Sequence, residues 1–147
     1  MHFYWKGMTM LKAISAVLLV AAASTACVSV QAQTLASPVY TTEQAKRGEA
    51  AYMQNCSGCH GDQLDNGEGD GAAPLVGPAF IQGWSAKSLD ELFNFTSTNM
   101  PINAPGSLAP QTYADLVAFL LSRNGVSPGA QELPFDTVKL KEMSGPR

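Results

Sequence analysis

The pentapeptide Cys56-Ser57-Gly58-Cys59-His60 constrains this chain more than any other feature. The pattern C-x-x-C-H carries two thiols on one turn, spaced to add to the two vinyl groups along one edge of a porphyrin, and the next residue sets an imidazole against the iron. A fold built on it wraps one haem c, held covalently through Cys56 and Cys59, with His60 as proximal ligand. Three other readings compete: half of a zinc site, a redox dithiol, and a chance pair in a turn. Zinc needs further thiolate or imidazole ligands, and the chain offers only Cys27 and His2, both near the N-terminus. A redox dithiol expects a βαβ setting, whereas the flanks here are polar and helical before the motif and glycine-rich after it.

The N-terminal stretch reads as an export signal. Residues 1–12 carry Lys6 and Lys12 and no acid, and residues 13–26 form an uncharged run rich in Ala, Leu and Val, too short for a spanning helix. Val30-Gln31-Ala32 suits a signal peptidase, which predicts a signal over 1–32, a linker over 33–40, a domain over 41–133, a tail over 134–147, and a periplasmic location. Lipidation at Cys27, after Ser24-Thr25-Ala26, is the alternative and the one route to a membrane anchor, although a Leu is usual where Ser24 stands. Met8 and Met10 are alternative starts. Beyond residue 32, seven basic side chains face twelve acidic ones, a side-chain charge of −5 that argues against nucleic-acid binding. Cys56 and Cys59 are then the only thiols, consumed by haem rather than by a disulfide framework. A side-chain core of this size is modest, so the haem-free chain is expected to be poorly folded.

The pattern predicts an all-α domain of three to five short helices. Thr41-x-x-Gln44 resembles a capping box and opens a helix to about Asn55, with Ala45, Gly48, Tyr52 and Cys56 on one face. Gly48 costs helix propensity and suggests close approach by another helix, a merely tolerated glycine being the alternative. Residues 61–77 have no period and read as a loop. Within it, residues 66–71 echo the start of a calcium loop, but Gly77 stands where the closing Glu is needed, leaving a solvated acidic loop. Ser88-x-x-Glu91 opens a second helix with Leu89, Leu92 and Phe93 as its stripe, to roughly Thr96. Pro110 opens the last one, with Tyr113, Leu116, Val117 and Leu120 at helical spacing and Gly125 as its stop. Residues 126–147 show little periodicity and are expected to wrap the surface or fray.

Elimination narrows the second iron ligand. His60 is the only histidine after residue 32, leaving Met53, Met100 and Met143. Met53 lies three residues before Cys56 on the attachment side, and Met143 sits in the tail. Met100, in Asn99-Met100-Pro101 after a helix, is the candidate distal ligand; the alternative is an ordinary gap-filling methionine.

With these residues in hand, the chain resembles the class I cytochrome c family over most of 41–133. The resemblance rests on the C-x-x-C-H motif, Gly77-Pro78, Asn99-Met100-Pro101 and the last helix with Tyr113 and Phe119. It implies that Pro78 offers its carbonyl to the proximal imidazole. More narrowly, residues 74–80, Trp84, Met100-Pro101, residues 105–108 and Gln131-Glu132-Leu133 are similar to monohaem cytochromes that accompany periplasmic quinoprotein (PQQ) dehydrogenases. Ala109 departs from those relatives, which often carry a capping Ser there, a loss of about 1 kcal/mol at the helix start.

A thioether is a soft donor that favours ferrous iron, so His60/Met100 ligation raises the reduction potential over bis-imidazole ligation. A six-coordinate iron leaves no site for substrate. The expectation is a one-electron carrier and not an enzyme, with redox proteins as partners: a PQQ dehydrogenase as donor and a terminal oxidase as acceptor. Phe80 and Trp84 pack near the porphyrin or serve as plain core aromatics, and the acids from Asp62 to Asp70 steer a basic partner. Two rivals remain: a ligand-binding sensor or enzyme if Met100 leaves the iron free, and a fixed haem subunit of a larger complex.

Overall fold

The computed structural model describes residues 39–65 and 72–147. The expected export signal, Cys27, most of the linker and residues 66–71 of the acidic loop lie outside the described residues. Six helices and no strand form among those described: α1 (Thr42–Asn55), α2 (Ser57–His60), α3 (Pro78–Trp84), α4 (Leu89–Asn99), α5 (Pro110–Arg123) and α6 (Thr137–Lys141). The all-α expectation holds, with one helix more than the three to five expected.

α1 starts where its cap predicts, Thr41 Oγ1 accepting the Gln44 N–H at 3.1 Å. The reciprocal half of the box does not form. Gln44 is fully buried, and its amide grips a distant backbone instead: Nε2 donates to the Leu133 carbonyl at 2.9 Å and Oε1 accepts the Leu133 N–H at 2.6 Å. Ala45, Gly48 and Tyr52 form the buried face. A Cβ on Gly48 would lie 1.9 Å from the Asp115 carbonyl oxygen and 2.8 Å from Phe119 Cβ. The glycine is therefore what lets α1 cross α5 with backbones nearly touching. Tyr52 and Phe119 rings meet beside the crossing, 5.3 Å apart.

α5 is the spine of the core. Beyond the expected stripe of Tyr113, Leu116, Val117 and Leu120, it also buries Ala114, Asp115, Ala118, Phe119 and Leu121. Asp115 is tolerated there because Arg47 pairs with both its oxygens, at 2.9 and 3.0 Å, and Gln111 donates to it at 2.9 Å. Arg47 also reaches Glu132 at 2.9 Å. Ala109 supplies no side-chain cap, and Gly125 ends the helix region at φ +82.

α4 forms with its Ser88/Glu91 capping box, buries Leu89, Leu92 and Phe93, and runs to Asn99 rather than Thr96. α3 begins on Pro78 at its first turn. The tail does not fray. Asp136 caps α6 by accepting the Val138 N–H at 2.9 Å, and Leu140 is fully buried. Leu89 N–H donates to the Met143 carbonyl and Gly145 N–H to the Lys87 carbonyl, each at 2.8 Å, locking residues 143–145 onto the start of α4. The helices lie within one compact unit, Gln33–Arg147. No helix among the described residues is long and apolar enough to cross a membrane.

Candidate functional site

The attachment motif occupies the corner between α1 and α2. Cys56 leaves helical geometry at φ −130, ψ −34, and α2 restarts at Ser57. Its N–H still donates to the Tyr52 carbonyl at 2.8 Å, while its own carbonyl accepts the N–H groups of Cys59 and His60 at 3.1 and 2.9 Å. Cys56, Cys59 and His60 thus share a single turn. Gly61 closes it at φ +73, a conformation suited to glycine, and the buried Tyr52 hydroxyl donates to the Gly61 carbonyl at 2.6 Å.

Both thiols are free, Cys56 partly buried and Cys59 exposed. Burial, with a smaller contribution from Cys59, pushes the Cys56 thiol up to about 11. It is therefore protonated at neutral pH.

His60 Nδ1 lies 2.9 Å from the Ala73 carbonyl oxygen. A carbonyl can only accept, so Nδ1 carries the proton and Nε2 is left with its lone pair, the tautomer that a metal-bound histidine needs. Ala73 thus takes the part that the family resemblance assigned to Pro78. Pro78 is committed to the first turn of α3, whereas the Leu75 N–H bonds the Leu64 carbonyl at 2.7 Å and returns residues 72–75 to the end of the motif loop. Asn124, at the end of α5, secures that return: its Nδ2 donates to the Leu75 carbonyl at 2.9 Å and its Oδ1 accepts the Gly77 N–H at 3.0 Å.

Met100 lies in extended backbone directly after α4. The Tyr113 hydroxyl donates to its carbonyl at 2.8 Å and accepts the Leu108 N–H at 3.4 Å. Of the other methionines, Met53 is 47 % exposed on α1, and Met143 packs against the core with its carbonyl bound to Leu89. Phe80 and Trp84 rings stand 6.3 Å apart, Trp84 meets Phe95 at 5.5 Å, and the Lys87 ammonium lies 4.3 Å from the Trp84 ring centre. α5 supports both the segment that carries Met100, through Tyr113 near its start, and the segment that carries Ala73, through Asn124 at its end.

The donor set fits a c-type haem: two free thiols on one turn, an imidazole whose Nε2 is open, and a thioether on a separate anchored segment. Among the described residues no three His, Cys, Asp or Glu side chains gather around a metal position. Sequence reasoning missed Ala73, Asn124 and the role of the Tyr113 hydroxyl. A backbone carbonyl has no residue signature, and Tyr113 was legible only as part of an apolar stripe.

The family model described as cytochrome c oxidase, cbb3-type, subunit III matches residues 43–120, from the first turn of α1 into α5 and across Cys56, Cys59, His60 and Met100. No curated protein and no solved structure gives a match. Because that match takes in more than half of the chain and the whole of the C-x-x-C-H corner, the chain belongs to this family of c-type cytochrome domains, whose chemistry is haem-based electron transfer.

Proposed function

We propose that the protein is a periplasmic one-electron carrier, with one haem attached through Cys56 and Cys59 and with His60 and Met100 as axial ligands. The observation that carries this reading is the His60 Nδ1 bond to the Ala73 carbonyl, which leaves Nε2 for iron and fixes the plane of the ring. A haem bound there supplies reversible ferric/ferrous cycling, at a potential that a thioether ligand raises. The chain's part is to hold the ligand groups still in both oxidation states. Tyr52 and the Gly61 turn fix the proximal side, and the anchored Met100 carbonyl limits the reach of the distal thioether. With His60 and Met100 both holding the iron, no position would be left for a substrate, which supports a carrier over an enzyme.

Redox proteins are the partners of such a carrier. The narrower resemblance favours a PQQ dehydrogenase as donor, with a terminal oxidase as acceptor, and exposed Asp62 and Asp65 suit a basic docking face. The family's description as an oxidase subunit favours a second reading, a haem domain held permanently in a larger complex. Native size on purification separates the two: a lone monohaem protein supports the carrier, and constant co-purifying chains support the subunit.

The ligand assignment is tested by ferric and ferrous spectra, with and without CO, of wild type and Met100→Ala. A far-red sulfur-to-iron band in ferric wild type, lost in the variant, with CO binding only to the variant, is expected. Prompt CO binding by wild type without that band would move a ligand-binding sensor or enzyme to the front.

A further inference from the structure

We propose that Tyr113 is a positioning residue for the distal ligand: its hydroxyl clasps both ends of the 100–108 loop and so holds Met100 closed over the iron. This rests on the His60/Met100 reading above.

The ring of Tyr113 is 2 % exposed, fixed in the first turns of α5 and set edge-on to Phe93 of α4 at 6.5 Å and 81°. From that fixed point the hydroxyl donates to the Met100 carbonyl at 2.8 Å and accepts the Leu108 N–H at 3.4 Å. The loop between has little else to hold it. Residues 102–107 are all exposed, Ile102 to 75 %. The hydrogen bonds at 2.9 Å from Ala104 N–H to the Pro101 carbonyl and at 3.2 Å from Ser107 N–H to the Ala104 carbonyl are turns within the loop itself. Leu108 is the first partly buried apolar residue after Pro101 that packs on the core. Closure therefore depends on one hydroxyl that serves as donor at the start of the loop and acceptor at its end.

Release of Met100 requires the loop to open, and an external ligand can take the distal position only in that open state. Its apparent affinity thus scales with the open fraction. Loss of a net hydrogen bond of ordinary strength raises that fraction about fivefold to tenfold. Tyr113→Phe keeps the ring and its contact with Phe93 and removes only the hydroxyl.

The test is an imidazole titration of the ferric holoprotein, followed by the shift of the main haem absorption band and, where it is present, by loss of the far-red band, in wild type, Tyr113→Phe, Met100→Ala and Tyr40→Phe. Tyr40→Phe is the structural control, because it too deletes a buried tyrosine hydroxyl bond, to the Val126 carbonyl, away from the ligand loop. Tyr113→Phe should keep the band without imidazole, bind imidazole about fivefold to tenfold more tightly than wild type, and show faster amide hydrogen exchange over residues 102–108. Tyr40→Phe should lose thermal stability and leave both readings at wild type. Wild-type titration and exchange in Tyr113→Phe, or an equal shift in Tyr40→Phe, overturns the proposal. If the band is present in wild type and lost in Met100→Ala while Tyr113→Phe is unchanged, the positioning role alone falls. If wild type has no band and Met100→Ala titrates identically, the ligand assignment falls and takes the positioning role with it.

Discussion

Tyr52 links burial to the attachment turn. It is 1 % exposed, and its hydroxyl is spent on the carbonyl that follows His60. Burial first, then the negative charge of Asp62 and Asp65, push its pKa up to about 12 from 10.0. Because the folded state holds this proton more tightly than the unfolded chain, its stabilisation is complete below pH 10 and is lost as pH rises from 10 through about 12. Denaturant midpoints of wild type should fall over that window. Tyr52→Phe should be flatter there and about 1 kcal/mol less stable at pH 7. Gln44 is a second case in which the side chain's partner decides its value. Gln44→Leu would leave both Leu133 backbone groups unpaired in the core, at a cost of about 2–3 kcal/mol by chemical denaturation. The pattern Thr41-x-x-Gln44 is the same for a capping box and for this clamp, so the sequence could locate the helix start but not the amide's destination.

Among the elements, the crossing of α1 and α5 makes the sharpest demand. In an isolated helix, alanine is favoured over glycine by about 1 kcal/mol. At position 48 the sign reverses, because the added methyl would meet the Asp115 backbone at 1.9 Å. Gly48→Ala should destabilise the holoprotein by about 2–3 kcal/mol, read as a lower thermal midpoint. An unchanged or raised midpoint would mean that the helices do not cross there. α1, α4 and α5 were legible because each combines a start signal with apolar residues at helical spacing. α2, α3 and α6 have four, seven and five residues, too few for a repeat to declare itself. α6 offers a single buried anchor, Leu140.

At the scale of the whole molecule, the tail closes the fold over the start of α4. A Cβ on Gly145 would lie 2.2 Å from the Trp84 carbonyl oxygen, so Gly145→Ala should undock residues 143–147. The expected cost is about 1–3 kcal/mol in stability, with the haem spectrum unchanged, since the hydrogen bonds of that segment run to Lys87 and Leu89 and not to the His60 or Met100 segments. The candidate site was legible where chemistry dictates residue type: thiols and imidazole at fixed spacing, and a thioether after a helix. It was not legible where backbone does the holding, as at Ala73, because any residue supplies a carbonyl. The proposed function turns on one haem held covalently through Cys56 and Cys59. Intact mass after acid–acetone extraction tests it most directly, in wild type and in the Cys56→Ser/Cys59→Ser double variant. Wild type should keep the added mass of one haem through extraction, and the double variant should keep none. A wild-type mass equal to the bare polypeptide, or haem that leaves with the solvent, would contradict it.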